Sequence, residues 1–423
     1  MPPPSRTVFL TAQAMPIAPL PSFAKSATNA SLVGKPSVKG WCPGALRPML
    51  SGDGWVVRIR PRAGRLSAAQ AAGIAQLAAR FGNGLIDVTS RANVQLRGVT
   101  EASHAPLIDG LRALALLDAN PEAEARRNIV VTPFWRVGDG TLDIAAALAN
   151  ALSQSDAPTL PTKFGFAVDT GEQSVLHDTS ADIRIERTAS GLFVRADGFA
   201  TGAQVTADDA VPTAMALARW YADSPRSGRM AALAGHTALP EAFQTPLLPP
   251  VAVPQWQIGQ NEHGWLVGIA FGQMSAQTLL ALADCAGTGA LRITPWRMLL
   301  IEKAAQIPNA PGLITRADDP LLRVVACSGA PQCQHAALDT RAIARTLAAG
   351  IPAGRLLHVS GCTKGCAHPQ AALTLVGSSS AEGGIDLIRH GTAASPPERR
   401  ALSVDAADTV ATELEQFLYA TPI

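Results

Sequence analysis

The stretch that decides the fold runs from residue 55 to residue 99 and reads WVVRIRPRAGRLSAAQAAGIAQLAARFGNGLIDVTSRANVQLRGV. A shorter echo runs from residue 265 to residue 301 and reads WLVGIAFGQMSAQTLLALADCAGTGALRITPWRMLLI. Each copy opens with alternating apolar residues, which predict a β-strand. Each then places a Ser ahead of an Ala/Leu-rich helix that its hydroxyl can cap, and a Gly-containing turn ends the helix. A strand with Thr followed by Arg comes next: Thr89 and Arg91 in the first copy, Thr294 and Arg297 in the second. The chain is therefore predicted to be duplicated.

The repetition continues beyond these two stretches. RNIVVTPF, from Arg127, aligns with RVVACSGA, from Arg323, and a predicted helix follows each, near residues 142–152 and 340–349. Each half then carries another loop, at 160–171 and at 356–370. The Pro-rich segment LLPPVAVP at 247–254 is the natural linker. Two such halves pack most simply about a pseudo-twofold axis, with equivalent loops facing one shared cavity.

Size and composition indicate several domains. The chain has 423 residues, 47% of them hydrophobic, which is more than one ordinary core needs. A net charge of +2 is too small for a typical nucleic-acid binder, and the chain has no run of about 20 apolar residues that could span a membrane. Residues 1–36 lack the basic start and long apolar run of a signal peptide, so we expect a disordered leader. Six cysteines in so long a chain suit the reduced cytosol, and a cytoplasmic protein is expected.

Four of the six cysteines lie close together in the second half. They form a C-x5-C pair and a C-x3-C pair: Cys327 and Cys333, Cys362 and Cys366. Four thiolates are what a [4Fe–4S] cluster needs, one for each iron. The neighbouring Ser328, Gly329 and Gly365 would let the backbone approach the cluster and donate N–H groups to its sulfides. Zinc is the alternative, although structural zinc sites mostly use C-x2–4-C pairs, which the first pair does not fit.

Together these residues resemble the sulfite and nitrite reductases that couple siroheme to a [4Fe–4S] cluster. The cysteine spacing is typical of that superfamily, and residues 89–97, TSRANVQLR, are similar to its T-x-R-x-x-x-Q-x-[HR] strand. Arg127-Asn128 matches its RN pair, and LPTKF at 160–164 matches its LPxKF motif. The resemblance covers nearly all of the chain after residue 38. It implies an α+β protein with a duplicated nitrite/sulfite reductase-like fold, in which two ferredoxin-like half-domains and two α/β domains are related by a pseudo-twofold axis.

Within that superfamily the chain looks most like the precorrin-3B synthases, monooxygenases of aerobic cobalamin biosynthesis. WCPG at 41–44, RPM at 47–49 and SGDG at 51–54 resemble the start of those enzymes, and LRITPWR at 291–297 resembles their second-half strand. The reductases usually carry a second Lys two residues after the one that matches Lys163, and here that position is Gly165. The resemblance implies hydroxylation of precorrin-3A by O2, with an acetate closing to a lactone. It also implies NADH as the ultimate electron donor.

A set of basic and amide side chains is the candidate tetrapyrrole site. Alternation along one strand would place Thr89, Arg91, Asn93, Gln95 and Arg97 on the same face, which is costly to bury without a polar ligand. A merely solvated face is the alternative. Arginine suits carboxylates because its planar fork makes two parallel charge-assisted bonds. The candidate substrate-binding residues are Arg58, Arg60, Arg91, Asn93, Gln95, Arg97, Arg127 and Lys163. The resemblance marks three of them as candidate catalytic residues: Arg91, Arg127 and Lys163.

Five segments are predicted along the chain. They are a disordered leader (1–36), a first ferredoxin-like half-domain (37–115), a first reductase-type α/β domain (116–246), a linker with the second ferredoxin-like half-domain (247–310), and a [4Fe–4S]-binding α/β domain (311–423). No G-x-G-x-x-G motif follows a predicted strand, so NADH is expected to bind a partner reductase. No nucleic-acid or membrane partner is expected.

Three functions remain compatible with these residues. The first is the precorrin monooxygenase, and the second is a siroheme-dependent sulfite or nitrite reductase in which Cys366 also bridges to the siroheme iron. The third is a non-enzymatic tetrapyrrole-binding iron–sulfur protein. The resemblance also raises a separate mononuclear non-heme iron, but the nearby histidines form no evident two-His-one-carboxylate pattern, so none is assigned: His104, His335, His358 and His368. Cys42 is either near the substrate or an inert buried thiol, and Cys285 is a packing residue.

Overall fold

The computed structural model describes residues 42–224, 228–246, 257–336, 338–378, 384–402 and Leu414. The predicted leader (1–36) and the predicted linker (247–254) lie outside the described residues. The described residues divide into two compact units, one within residues 38–317 and one within residues 318–423.

The first unit begins with a ferredoxin-like half-domain. Its elements are β1 (Met49–Ser51), β2 (Gly54–Ile59), β3 (Arg65–Ser67), α1 (Ala68–Phe81), β4 (Leu85–Val88), β5 (Val94–Val99) and α2 (Glu101–Ala113).

An α/β region follows in the same unit. Its elements are α3 (Pro121–Arg126), β6 (Ile129–Val131), α4 (Thr141–Ser153), β7 (Phe166–Asp169), β8 (Ile183–Thr188), β9 (Gly191–Ala196), β10 (Thr201–Val205), α5 (Ala207–Asp223) and β11 (Thr245–Pro246). Its sheet has the order β11-β10-β9-β8-β7-β6, in which β6, β7 and β8 run parallel and the later neighbours run antiparallel.

The second ferredoxin-like half-domain completes the unit. Its elements are β12 (Gly259–Asn261), β13 (Gly264–Ile269), β14 (Gln273–Ser275), α6 (Ala276–Ala286), β15 (Ala290–Ile293), β16 (Met298–Ile301) and β17 (Leu313–Ile314). The order strand, short turn, strand, helix, two strands is the same as in the first half-domain.

The two half-domains exchange a strand. One sheet has the order β1-β2-β5-β4-β14 and the other β12-β13-β16-β15-β3. Thus β14 pairs with β4, β3 pairs with β15, and α1 packs against α6. Both halves consequently share one hydrophobic core, which confirms the duplication predicted from the sequence.

Equivalent residues have equivalent local structure in the two copies. Ser67 Oγ accepts the N–H of Gln70 at the start of α1, and Ser275 Oγ accepts the N–H of Thr278 at the start of α6. Each cap satisfies a backbone donor that the helix itself cannot, a contribution of about 1 kcal/mol. The repeated Ser in the sequence is therefore correctly read as a helix start.

The predicted strand through residues 89–97 is wrong in its first half. β4 ends at Val88, and the next five residues form a tight turn. Thr89 Oγ1 accepts the N–H groups of Arg91 and Asn93 at 3.3 and 3.2 Å, and Ala92 adopts a left-handed φ of 53°. The threonine hydroxyl offers the backbone a local partner in place of the strand ladder. Arg91 and Asn93 therefore do not continue the alternation of the strand that follows.

The second copy contains the same turn. Thr294 Oγ1 accepts the N–H groups of Trp296 and Met298 at 3.3 and 3.2 Å, and Arg297 has a φ of 62°. Arg297 thus occupies the left-handed position of Ala92 in the first copy. The predicted correspondence of Arg297 with Arg91 is wrong, because the residue equivalent to Arg91 is Trp296.

The second unit repeats the α/β order. Its elements are β18 (Val324–Ala326), α7 (Thr340–Leu347), β19 (Leu357–Ser360), β20 (Ala372–Gly377), β21 (Ile385–Gly391) and β22 (Arg399–Leu402). Strands β18, β19 and β20 run parallel and β21 and β22 antiparallel, as in the α/β sheet of the first unit. The α+β duplicated fold is confirmed. Within the described residues, no helix is both long and apolar enough to cross a membrane.

Candidate functional site

The four clustered cysteines lie on two loops at one edge of the β18–β22 sheet. Cys327 follows β18 directly, and Cys362 follows β19 after one residue. Because β18 and β19 are neighbouring parallel strands, their carboxyl ends meet at the same edge. Burial raises the pKa of Cys366, the positive charge of Lys364 lowers it, and the other three thiols raise it further. All four thiols therefore lie within electrostatic range of one another.

Cys327 accepts hydrogen bonds at both its sulfur and its main-chain oxygen. The N–H of Gly361 donates to its Sγ at 3.2 Å, and Thr340 Oγ1 donates to its main-chain oxygen at 2.9 Å. A Cβ atom at Gly361 would overlap the Cβ of Ala336, and one at Gly329, where φ is 67°, would lie 2.5 Å from Thr340 Oγ1. Glycine is therefore required on both loops for them to approach each other closely.

The donor set suits a cubane cluster. The four thiols lie on two loops at one edge of the sheet, and a backbone N–H already donates to one sulfur, which favours a ligand that is a thiolate. Among the described residues, no three His, Cys, Asp or Glu side chains approach closely enough to share a single metal ion. A cubane differs from a single ion because each thiolate binds its own iron at a separate corner. The cysteine arrangement is thus compatible with the predicted [4Fe–4S] cluster, with Cys327, Cys333, Cys362 and Cys366 as its ligands.

The first unit carries the predicted basic residues. Arg58 is one of two arginines among them that have no carboxylate partner within the described part of the chain. Its Nε and Nη2 atoms donate to Gln95 Oε1 at 2.8 and 2.5 Å, across the β2–β5 pairing. The Cys42 thiol also lies within hydrogen-bonding reach. Burial, followed by repulsion from Arg60, lowers the pKa of Arg58 to about 10, so this side chain remains cationic at neutral pH. An amide cannot neutralise a guanidinium, and the charge remains available to an anion.

Arg91 is the second predicted arginine without a carboxylate partner among the described residues. Its Nη2 donates to the main-chain oxygen of Lys163 at 3.0 Å, and no carboxylate of a described residue lies within ion-pair distance. Burial lowers the pKa of Arg91. The guanidinium borders a cavity whose lining consists of Arg91, Asn93, Asn128, Ile129, Val130, Gly165 and Ser180. The exposed side chain of Lys163 is not part of this lining, and its contribution here is its carbonyl.

Two predicted arginines are already paired with acids. The fork of Arg97 contacts Asp53 at 2.8 and 2.7 Å, and its Nη1 contacts Asp87 at 3.0 Å. The fork of Arg127 contacts Asp118 through Nε and Nη2 at 2.7 and 2.8 Å. Bidentate contacts of this kind fix the guanidinium plane. In this structure both side chains hold neighbouring segments together.

Arg60 has an intermediate position. It is only 4% exposed, and its Nη1 lies 3.3 Å from Glu124 Oε1. Its Nε has no hydrogen-bond acceptor among the described residues. Glu124 Oε1 also accepts the N–H of Ala45 at 2.6 Å, which ties the segment after Cys42 to the same ion pair.

The cavity wall near Arg91 is rigidly held. Asn128 Nδ2 donates to the carbonyls of Thr162 and Phe164, each at 3.1 Å, and the N–H of Gly165 donates to Asp182 Oδ2 at 2.9 Å. A Cβ atom at Gly165 would lie 3.4 Å from the oxygen of Asn128 and 3.8 Å from Nη1 of Arg91. A methyl group fits there, whereas a longer side chain would enter the cavity.

Sequence reasoning missed Arg229. Its Nη1 donates to the carbonyl of Lys163 at 3.0 Å, the same oxygen that accepts from Arg91, and its Nε pairs with Asp182 Oδ1 at 2.9 Å. The surrounding sequence, SPRSGRM, contains no recognisable motif. Only the fold brings this residue, more than 130 positions along the chain, next to Arg91.

The four histidines considered as iron ligands do not assemble a site. His104 Nε2 is hydrogen-bonded with the oxygen of Ala45 at 2.9 Å, and the rings of His358 and His368 lie 5.8 Å apart in an edge-on arrangement. The described residues offer no group that would support the predicted mononuclear iron.

Comparison with known proteins agrees with this fold. Residues 47–114 match the model of the nitrite/sulfite reductase ferredoxin-like half domain. The solved structure of the Mycobacterium tuberculosis NirA protein is similar to this chain with a TM-score of 0.60. The match covers 87% of this chain and 81% of the NirA chain. At 18% sequence identity it shows a similarity of fold alone. The chain thus has the fold of the nitrite and sulfite reductases, as its motifs predicted.

The chain is also similar in sequence to a precorrin-3B synthase. It is 28% identical over 399 residues to the precorrin-3B synthase of a Sinorhizobium species, covering 85% of this chain and 84% of that one. It is 26% identical over 393 residues to the ferredoxin–nitrite reductase of Synechococcus elongatus, covering 77% and 76%. The resemblance predicted from the sequence is confirmed.

Proposed function

We propose that this protein is an oxidoreductase of the precorrin-3B synthase type, which hydroxylates precorrin-3A with O2 and closes an acetate to a lactone. The observation that carries the proposal is that four cysteines lie in the loops after the neighbouring parallel strands β18 and β19, in a chain similar over most of its length to a precorrin-3B synthase. In such a reaction one oxygen atom of O2 enters the substrate and the other leaves as water, which requires two electrons from a donor.

A cluster held by Cys327, Cys333, Cys362 and Cys366 would supply those electrons one at a time, as O2 chemistry requires. The N–H of Gly361 would stabilise the added charge on the sulfur of Cys327. NADH would be the ultimate source, through a separate reductase.

The arginines of the first unit would bind the acid groups of the tetrapyrrole. Five guanidinium groups and three carboxylates lie within electrostatic range of one another, which leaves an excess of positive charge. The guanidinium groups belong to Arg58, Arg60, Arg91, Arg127 and Arg229, and the carboxylates belong to Asp118, Glu124 and Asp182. A ligand with several carboxylates balances that excess. Arg58 and Arg91, which form no ion pair with a carboxylate of the described residues, would make the direct contacts, while Arg97 and Arg127 would hold the site together.

One experiment tests this proposal. Protein purified without oxygen is assayed for iron, acid-labile sulfide and visible absorption, and is then incubated with precorrin-3A, 18O2, NADH and a ferredoxin reductase system. We expect iron–sulfur absorption and a product one oxygen atom heavier, labelled from the gas. A product without label would contradict the proposal.

A siroheme-dependent nitrite reductase is the second candidate. The chain is also similar to ferredoxin–nitrite reductases, and it covers 76% of the enzyme of Synechococcus elongatus and 68% of that of Zea mays. Strong siroheme bands in the isolated protein, with reduction of nitrite, would favour it over the monooxygenase. Gly165 argues against it: the cavity beside Arg91 has no lysine at this position to help bind a small anion.

A further inference from the structure

We propose that Arg229 and Arg91 form a clamp of two guanidinium groups that binds one carboxylate of the substrate. The identity of the substrate rests on the proposed function, but the clamp itself requires only an organic acid. Arg229 belongs to none of the motifs that suggested the other site residues.

The two side chains are held next to each other by one acceptor. Nη2 of Arg91 and Nη1 of Arg229 both donate to the main-chain oxygen of Lys163, each at 3.0 Å. Nη2 of Arg229 also donates to the oxygen of Ala181 at 2.9 Å. Neither guanidinium can move far without losing a hydrogen bond, so the pair is preorganised.

One carboxylate forms an ion pair with only one of the two cations. Asp182 is fully buried and pairs through Oδ1 with Nε of Arg229 at 2.9 Å. Its oxygens also accept the N–H groups of Met230 and Gly165, both at 2.9 Å. Asp182 is therefore already engaged with the backbone and neutralises at most one of the two guanidinium groups. The remaining positive charge is unbalanced within the described residues around it.

Both arginines are partly exposed to solvent. Arg91 borders the cavity with Asn93, Asn128 and Ser180, and all but one of its N–H groups are without an acceptor among the described residues. The side chain of Arg229 is 35% exposed. A carboxylate has two oxygens, each with two acceptor positions, so it can accept from both guanidinium groups at once.

A purely structural role for Arg229 is the competing explanation. In that case it would only connect the segment at Lys163 with the segment at Asp182, and its loss would lower stability but not anion affinity. Equilibrium binding together with thermal stability separates the two roles.

The test uses the full chain and two probes, uroporphyrin (an octacarboxylate porphyrin) and citrate, in fluorescence and calorimetric titrations. Arg229→Gln is expected to bind each probe about tenfold more weakly or worse, since a charge-assisted bond is lost. The salt dependence of binding should also become shallower. The matched control is Arg112→Gln, which removes an exposed surface guanidinium paired with Asp109, and it should bind as the wild type does.

Wild-type affinity in a folded Arg229→Gln protein would overturn the clamp, whatever the change in melting temperature. If that variant does not fold, Arg229→Lys decides: an ammonium cannot make the parallel bonds, so unchanged affinity would overturn the clamp and weaker binding would support it. If citrate binding depends on Arg229 but uroporphyrin does not bind at all, the clamp stands and the tetrapyrrole function fails. If uroporphyrin binds equally to wild type and Arg229→Gln, the clamp fails and the function is unaffected.

Discussion

The main-chain N–H of Gly361 donates a 3.2 Å hydrogen bond to Sγ of Cys327. This contact joins the loop after β19 to the loop after β18, and it exists because a hydrogen atom, not a methyl group, faces Ala336. A residue that no motif names thus sets how closely the two cysteine loops approach.

Gly361→Ala is expected to lose most of its iron and acid-labile sulfide. The added methyl would overlap the Cβ of Ala336 and separate the loops, so the four thiols would no longer fit one cluster. Metal and sulfide analysis of anaerobically purified protein measures this. Gly171→Ala is the control, because its new Cβ would meet its neighbours at 3.7 Å or more. Full cluster content in Gly361→Ala would refute the prediction.

Cys333→Ser should lower iron and sulfide content severely, whereas Cys285→Ser should not. Cys333 lies on the same loop as Cys327, while Cys285 lies on α6 in the first unit. The visible absorption per mole of protein gives the readout. Equal loss in both variants would indicate a general folding defect rather than the loss of a ligand.

Arg97→Met is expected to destabilise the protein by about 3 kcal/mol, because it leaves Asp53 and Asp87 without their shared cation in a largely buried position. Arg91→Gln should change stability by less than about 1 kcal/mol, since it breaks one hydrogen bond to a carbonyl. Urea denaturation, followed by the tryptophan fluorescence of the first unit, compares the stabilities of the two variants. We expect the opposite order for uroporphyrin affinity, and a loss of affinity in Arg97→Met without loss of stability would contradict this division of roles.

A double-mutant cycle tests whether Arg127 acts through Asp118. Arg127→Gln and Asp118→Asn each leave a buried charge without its partner and should each cost about 3 kcal/mol of unfolding free energy. The double variant should cost far less than the sum, with a coupling energy above about 1 kcal/mol. Additive effects would show that Asp118 is not the principal partner of Arg127.

The stability of the first unit should depend on pH through Glu302. Burial alone would raise its pKa, but hydrogen bonds and positive charges from Arg65 and Arg292 outweigh burial and hold the pKa below 4.5. A carboxylate whose folded pKa is depressed contributes stability above its unfolded pKa and loses it as pH falls through the folded value. Glu302→Gln should therefore be about 3 kcal/mol less stable than wild type at neutral pH, and the gap should close below pH 4.5.

Chemical denaturation at several pH values measures that gap. Glu172→Gln provides the control, because it removes an exposed carboxylate paired with Arg136 and should cost less than about 1 kcal/mol at any pH. A gap for Glu302→Gln that does not change with pH would exclude an electrostatic origin.

The sequence predicts those local structures that depend on residues close to one another along the chain. The serine caps and the helices after them follow from neighbouring residues. The turn at Thr89 was misread because its pattern also fits a strand, and the hydroxyl bonds that favour the turn depend on backbone geometry. The same ambiguity explains why Arg297, and not Trp296, is predicted to correspond to Arg91 in the second copy.

The sequence by itself determined that the chain is duplicated, that its halves are α+β, and that four cysteines stand in two loops, because these features depend on periodicity and spacing. Only the tertiary structure decided that the half-domains exchange β3 and β14, that Arg97 and Arg127 face carboxylates, and that Arg229 lies beside Arg91. Charge pairing and strand partners depend on which distant segments meet. That information is spread over the whole packed chain and is carried by no single stretch of it.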